Sequence, residues 1–352
     1  MSNGNFRIAV IGLGDVASVH LDAYEQLDGL DIASVCDVRE NVAQTVAARF
    51  DAKAYADYKA LLSDDTYDLV LVLTPASTHC EIVSAVAAAG FHVFCEKPLA
   101  VTQEEGKAIV TACDDAGVKL FYGSCYRYLP AVKKARDLIQ AGAIGRVQLM
   151  TEQLIGGLGL AAYEQLGAIH YASGGSGGAG MGLVDHGIHL IDIFSWLAGS
   201  PIIRAEGRGQ ISGAPATSEV MSMYFDNGAM GVLTYNAATY STALPNEGMF
   251  SGGQGYNTDN SISGAGSWEG DPGSICIYGT EGALRIFHYT NALYLNDQNG
   301  LRRIEISGRP SFGHFATQLE DCIAAIKDNR EPSVTGMDGI VTIDALLQLY
   351  EK

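Results

Sequence analysis

The stretch that most limits what this chain can fold into is Phe6 to Ala17. Phe6 to Ile11 is apolar apart from Arg7, and it runs straight into Gly12-Leu13-Gly14-Asp15-Val16-Ala17 and a helical segment, Ser18 to Gln26. A continuous apolar strand is one buried on both faces, as in the middle of a parallel sheet. G-x-G-x-x-A between such a strand and a helix is a dinucleotide fingerprint. Gly12 permits the tight turn, Gly14 lets backbone approach a pyrophosphate, and Ala17 lets helix and strand pack closely. The helix start at Asp15 and Val16 then offers unpaired N–H groups to the phosphates.

The context such a motif requires is present. Asp31 to Cys36 reads as a second strand, and Asp37 ends it about 20 residues past the fingerprint, where a carboxylate accepts from the adenosine ribose hydroxyls. Asp37 favours NAD; Arg39, just beyond it, is placed to accept a 2′-phosphate and keeps NADP open. A plain turn aspartate is the other reading of Asp37.

Alternation continues through helix Asn41 to Phe50, a helical turn Tyr58 to Leu62, strand Tyr67 to Leu73, helix Cys80 to Ala89, strand His92 to Cys95, helix Gln103 to Ala116 and strand Lys119 to Gly123. This predicts an α/β fold with a Rossmann-type, doubly wound parallel sheet over residues 1–124. From residue 125 the pattern shifts. A helix over Ala131 to Ala141 is followed by strands at Val147 to Ile155, Ile202 to Gly207, Thr217 to Phe225, Ala229 to Tyr235, Ser274 to Tyr278, Ala283 to Phe287 and Leu301 to Ile306. Punctuation such as Asp226-Asn227-Gly228 and Asn299-Gly300 favours hairpins. Residues 125–352 are therefore predicted to be an α+β domain with a large, mostly antiparallel sheet, serving substrate binding and oligomerisation. Two glycine-rich loops, Gly156 to Gly182 and Gly248 to Gly273, read as substrate lids or as disordered insertions.

Ligands of an open parallel sheet bind at the carboxyl edge of its strands. Two groups lie there. Thr74, Pro75 and His79 follow one strand, and His79 either caps the next helix or touches the cofactor. Glu96-Lys97-Pro98 follows another, and a lysine before proline is held on stiff, extended backbone. A solvated Glu-Lys pair on a surface turn is the plainer reading.

The second polar group sits on a predicted helix, Leu183 to Gly199. Asp185 and His189 share one face, continued by Asp192 and Trp196, while Val184, Ile188, Leu190, Ile191, Phe194 and Leu197 pack. Gly187 allows close approach of backbone or ligand. A metal on Asp185, His186 and His189 is disfavoured because neighbours on a helix point about 100° apart, so no metal is expected.

The chain carries 22 basic against 40 acidic residues, a formal charge of −18, which disfavours nucleic acid and anionic lipid surfaces as partners. Seven scattered cysteines without a Cys-x-x-Cys pair suit reduced thiols in a cytoplasm. The amino terminus has no secretory pattern and no apolar run is of membrane-spanning length, so a cytoplasmic protein is expected.

Taken together, the fingerprint, Glu96-Lys97-Pro98, the Tyr126-Arg127-Tyr128-Leu129-Pro130 segment with Gly145, Asp185 to Asp192, and Arg330-Glu331-Pro332 resemble the glucose-fructose oxidoreductase / inositol dehydrogenase / rhizopine catabolism family, Gfo/Idh/MocA. The resemblance runs along nearly the whole chain. It implies an NAD(P)-dependent dehydrogenase acting on a secondary hydroxyl of a sugar, glycoside or cyclitol, with Lys97, Asp185 and His189 as the catalytic group and a cis bond after Lys97. It also implies substrate contacts from Lys97, Tyr126, Arg127, Tyr163 and His186, cofactor contacts from Glu96 and Lys97, and a homodimer or homotetramer. Cys125, where many relatives have asparagine, and Met181, which breaks a glycine run, leave the substrate open. An NADPH-linked carbonyl reductase, a redox-neutral enzyme with tightly held NAD, and a sugar-sensing regulator are the alternatives.

Overall fold

A computed structural model of the chain describes residues 5–155, 182–209, 218–236, 274–287, 291–309 and 313–349. Its contacts separate two compact units: Met1–Ser124 with Phe315–Ile343, and Cys125–His314 with Asp344–Lys352.

The first unit holds six strands, β1 (Phe6–Ile11), β2 (Leu30–Cys36), β3 (Lys53–Tyr55), β4 (Leu69–Val72), β5 (His92–Cys95) and β6 (Leu120–Tyr122), in the order β3-β2-β1-β4-β5-β6. All neighbours are parallel. Ile8, Ala9 and Val10 of β1, every residue of β4, and Val93 to Cys95 of β5 are fully buried, as expected for strands covered by helices on both sides. The helices are α1 (Asp15–Tyr24), α2 (Glu40–Phe50), α3 (Tyr58–Asp64), α4 (His79–Ala88) and α5 (Gln103–Ala116). The strand order reverses between β1 and β4, which is where an open sheet of this kind opens a crevice for ligand. Strand β3 escaped the sequence reading because it is short, exposed and without an apolar run.

The C-terminal stretch 315–343 differs from the division at residue 124 drawn from sequence. It carries most of α8 (Gly313–Lys327) and the start of α9 (Gly336–Leu347). Thr335 bridges Phe121, Tyr122 N–H donates to the Val334 carbonyl (3.2 Å), and Tyr122 Oη lies 3.2 Å from Thr342 Oγ1. These contacts satisfy the free edge of β6, which gives the segment a reason to return.

The second unit is an eight-stranded sheet ordered β14-β13-β12-β11-β7-β10-β9-β8. In chain order the strands are β7 (Val147–Ile155), β8 (Ile202–Arg208), β9 (Glu219–Phe225), β10 (Met230–Asn236), β11 (Ile275–Gly279), β12 (Gly282–Phe287), β13 (Ala292–Asp297) and β14 (Gly300–Arg303). Every pairing is antiparallel except β10 with β7. The fold class read from sequence is therefore the one observed. One face buries Met150, Met221, Met223, Leu233 and Ile277, covered at β10 by the helix α7 (Ile188–Ala198), while α6 (Pro130–Gln140) packs on β12 and β13. Gly231 gives Phe194 of α7 its place: a Cβ there would lie 2.8 Å from the ring. On the opposite face Ser222, Val232, Thr151, Cys276, Arg285 and Tyr294 form one cross-strand row.

Residues 156–181 and 248–273, the bulk of both glycine-rich loops, lie outside the described residues, as do Tyr163 and Met181.

Candidate active site

The turn after β1 is shaped by its two glycines in different ways. Gly12 has φ +92°, and a Cβ there would sit 2.8 Å from the Leu73 carbonyl group and from Thr74 Cγ2, so neither conformation nor space admits a side chain. Gly14 is exposed, and a Cβ on it would meet nothing within 4 Å. That open cradle lies at the start of α1, where Gly14 is the N-cap and no side chain caps the helix. Unpaired N–H groups and the helix dipole suit an anion there. Asp15 is exposed and Val16 half-buried in the first turn, and Ala17 is buried against the sheet.

Asp37, at the end of β2, closes the far side of the turn. Its Oδ2 accepts from Leu13 N–H at 2.9 Å, tying the glycine turn to the strand. Both carboxylate oxygens also accept from Arg39, whose Nε and Nη2 form a fork at 2.9 Å. Those Arg39 bonds, helped by the backbone N–H groups of Arg39 and Leu13, hold the Asp37 carboxyl down at about 2. The group is anionic and oriented, as a ribose partner must be, and Arg39 sits against it with its side chain half-exposed.

His79 is the first residue of α4 and does not cap it. Its ring is fully buried, with Nδ1 2.9 Å from the Pro98 carbonyl oxygen and Nε2 2.7 Å from that of Thr74. Burial holds the imidazole below its usual range, against the pull of those carbonyls. His79 thus clasps the Thr74-Pro75 loop to the segment after Lys97, a different place from the helix cap or cofactor contact read from sequence.

Glu96 is also turned inward. It is 4% exposed; Oε2 accepts from Lys97 N–H at 2.7 Å and Oε1 lies 2.9 Å from His20 Nε2. The Lys97–Pro98 bond is cis and Lys97 is half-buried.

In the second unit the helix expected over Leu183 to Gly199 begins as a π-turn, Leu183–Gly187, before α7. Gly187 N–H reaches back to the Gly182 carbonyl, and Leu183 N–H donates to the Glu219 carboxylate, which receives the helix start. Gly187 admits side chains where ligand or backbone was expected: a Cβ on it would lie 3.1 Å from both Leu183 and Tyr235. Single π-turns of this kind recur at functional sites because they re-aim the side chains of a helix.

Asp185 is half-buried and His189 buried. The His189 ring lies against Tyr126, centroids 4.1 Å apart and planes 7° from parallel. Tyr126 Oη is 3.3 Å from His186 Nδ1, His186 Nε2 is 3.0 Å from both Glu152 oxygens, and Tyr235 O–H donates to Glu152 at 2.6 Å. With Nε2–H donating to the carboxylate, Nδ1 is left to accept from Tyr126. Burial, and then the Glu152 carboxylate, push the Tyr235 phenol well above its usual range.

His186 is 1% exposed and belongs to this internal network; Tyr126, equally buried, gives its face to His189. Arg127 and Asp192 form a buried bidentate pair, with the guanidinium 5.6 Å above the Trp196 ring. The substrate contacts read for Tyr126, Arg127 and His186 thus fall on side chains set into packing. No group of three or more His, Cys, Asp or Glu that could hold a metal exists among the described residues. Four contributors escaped the sequence reading: His20, Glu152, Glu219 and Tyr235.

Residues 6–124 match a family model described as an oxidoreductase family with an NAD-binding Rossmann fold, and residues 132–285 match the GFO/IDH/MocA C-terminal domain. The chain belongs to the Gfo/Idh/MocA family. Its first domain is an NAD-binding Rossmann domain, and the open cradle at Gly14 with anionic Asp37 fits a dinucleotide. Among curated relatives, a D-glucoside 3-dehydrogenase of Escherichia coli K12 is 28% identical over 58% of this chain and 57% of its own length. A myo-inositol 2-dehydrogenase of Thermotoga maritima is 34% identical over 41% and 43%. The chain thus spans about half the length of the curated relatives it matches. A solved Agrobacterium radiobacter oxidoreductase, in complex with NAD+, L-tartaric acid and magnesium, superposes with TM-score 0.78 at 20% identity, covering 99% of this Gfo/Idh/MocA chain and 96% of its own.

Proposed function

We propose that this protein is a dehydrogenase that oxidises a secondary hydroxyl of a sugar, glycoside or cyclitol with NAD or NADP. The observation that carries it is the Asp185–His189 helix start, with the His189 ring braced by Tyr126, in a chain whose first domain binds a nicotinamide dinucleotide. A regulator that only senses sugar has no use for a held proton acceptor.

The bound dinucleotide supplies the two-electron acceptor. Gly14, the first turn of α1 and Asp37 would hold it, with Thr74 and Pro75 bordering the crevice. The family resemblance assigns removal of the hydroxyl proton to His189, with Asp185 orienting the imidazole or helping to bind, and a hydrogen bond to the developing negative charge to Lys97. Asp37 favours NAD; Arg39, already gripping that carboxylate, is the group that would turn to a 2′-phosphate.

Lys97→Ala and His189→Ala should each lower kcat by about 10²–10⁴ while NADH titrations stay near wild type. The substrate is sought by screening aldoses, glycosides and inositols with NAD and NADP, following the absorbance of reduced nicotinamide. Near-wild-type turnover by either variant on that substrate would sink the assignment.

The same reading extends to a homodimer or homotetramer on the outer face of the eight-stranded sheet, where Val220 and Tyr278 are 39% and 46% exposed. Monomeric sedimentation at micromolar concentration speaks against it. A cytoplasmic location accords with seven free cysteines. No described helix is long and apolar enough to cross a membrane.

A further inference from the structure

His20 takes no part in the function just proposed, yet it is one of the most completely enclosed polar side chains of the first unit. It projects from α1, the helix whose amino end forms the dinucleotide cradle, and is 0% exposed. Nδ1 is 2.7 Å from Tyr24 Oη, one turn along the same helix, and Nε2 is 2.9 Å from Glu96 Oε1. The ring is wedged edge-on among Tyr24, Phe94 and Phe315, with centroid distances of 5.5, 5.6 and 4.6 Å. It cannot turn without disturbing all three.

Glu96 completes the chain. Its second oxygen accepts the Lys97 N–H at 2.7 Å, so one carboxylate joins the imidazole to the main chain of the lysine. Gly123 backs the arrangement: a Cβ there would lie 2.8 Å from Glu96 Cα and 3.2 Å from its carboxyl carbon. With both oxygens engaged inside the unit, Glu96 is braced, not offered to a ligand. A buried carboxylate so placed is held in one orientation, because losing either partner leaves an unpaired oxygen at a cost water cannot relieve.

We infer that His20 is a positioning residue, which through Glu96 fixes the backbone of Lys97 to the dinucleotide-binding helix α1 and so sets where the Lys97 ammonium is presented. This rests on the proposed role of Lys97. It assigns Glu96 to holding Lys97 in place of a direct contact with cofactor. It also means that the element that holds the pyrophosphate and the element that presents the lysine are linked by hydrogen bonds, not merely by packing.

The test compares His20→Leu, His20→Gln and Tyr24→Phe with wild type in the full chain. Amine-directed labelling read by peptide mass spectrometry reports how Lys97 is presented without any turnover. In His20→Leu the labelling rate of Lys97 should shift while those of Lys53, Lys59 and Lys119 do not. His20→Gln, which keeps a donor toward Glu96, should restore much of the wild-type rate, and Tyr24→Phe should have the smaller effect. NADH affinity should change little in all three, while kcat of His20→Leu falls about 10- to 100-fold at nearly constant KM, the sensitivity expected of a slightly misplaced catalytic group. An unchanged Lys97 labelling rate in folded His20→Leu overturns the inference; if that variant does not fold, His20→Asn, whose shorter side chain cannot reach Glu96, takes its place, and an unchanged Lys97 labelling rate there overturns it. Failure of the proposed function looks different: Lys97→Ala would then turn over like wild type, whatever the labelling shows.

Discussion

The Tyr126 ring covers one face of the His189 imidazole at 4.1 Å, and the hydroxyl of the same tyrosine meets His186 at 3.3 Å. One side chain therefore braces the proposed proton acceptor and anchors itself in the network behind it. The two jobs separate by mutation. Tyr126→Phe keeps the stack and loses one hydrogen bond, so kcat should stay within about tenfold of wild type. Tyr126→Leu removes the flat surface that fixes the imidazole plane, and kcat should fall about 10²-fold. Steady-state rates of the two variants on the substrate that the screen identifies decide it; equal losses would show that the hydroxyl, not the stack, matters.

Behind that tyrosine, Glu152 accepts from Tyr235 and faces His186, both fully buried. Glu152→Ala leaves a phenol and an imidazole without their acceptor, and a donor buried without a partner costs about 1–3 kcal/mol. Urea melts should show the loss in the midpoint with little change in slope. Glu152→Gln, which keeps an acceptor oxygen, should lose less.

Much of this was readable in the chain because period and punctuation report directly on burial. Phe6 to Ile11 and Tyr67 to Leu73 are runs that suit only a strand covered on both sides, and Gly12 and Gly14 announce the turn between sheet and helix. What sequence did not disclose is which polar groups face inward. Glu152 stands two residues from buried Met150, and so lies in the inward register of β7, but it reads as an ordinary surface acid. His20 shares the buried face of α1 with Ala17, Leu21 and Tyr24, and its partner Glu96 is 76 residues away. Pairings at that separation are set by topology, which local pattern does not carry. His79 and Arg127 show the reverse: each looked available for ligand, and tertiary partners claim both.

Asp37 makes the first unit sensitive to acid. Arg39 and two backbone N–H groups hold its carboxyl at about 2 against an ordinary 3.8, so folding favours the charged form. That contribution is present above about pH 4 and lost as pH falls through about 2, and it amounts to about 1–2 kcal/mol once the exposure of Arg39 is allowed for. Urea midpoints of wild type and Asp37→Asn should therefore differ at neutral pH and converge toward the acid end. Asp37→Asn should also weaken NAD more than NADP, measured as the ratio of dissociation constants; a ratio unchanged from wild type would remove Asp37 from cofactor choice.

Gly12 and Gly14 offer the sharpest separation of folding from binding. Gly12→Ala forces a Cβ to within 2.8 Å of the Leu73 carbonyl at φ +92°, so it should destabilise the chain by about 1–3 kcal/mol and lower the melting temperature with or without dinucleotide. Gly14→Ala meets nothing within 4 Å, and its backbone, with φ −81°, is one that alanine adopts freely. The apo melting temperature should then match wild type, because the new methyl group enters only the space left for ligand. NADH affinity should fall about 10-fold or more, since the backbone can no longer approach the pyrophosphate. Thermal melts with and without NADH read both effects in one series. A Gly14→Ala variant that binds NADH like wild type would place the pyrophosphate elsewhere.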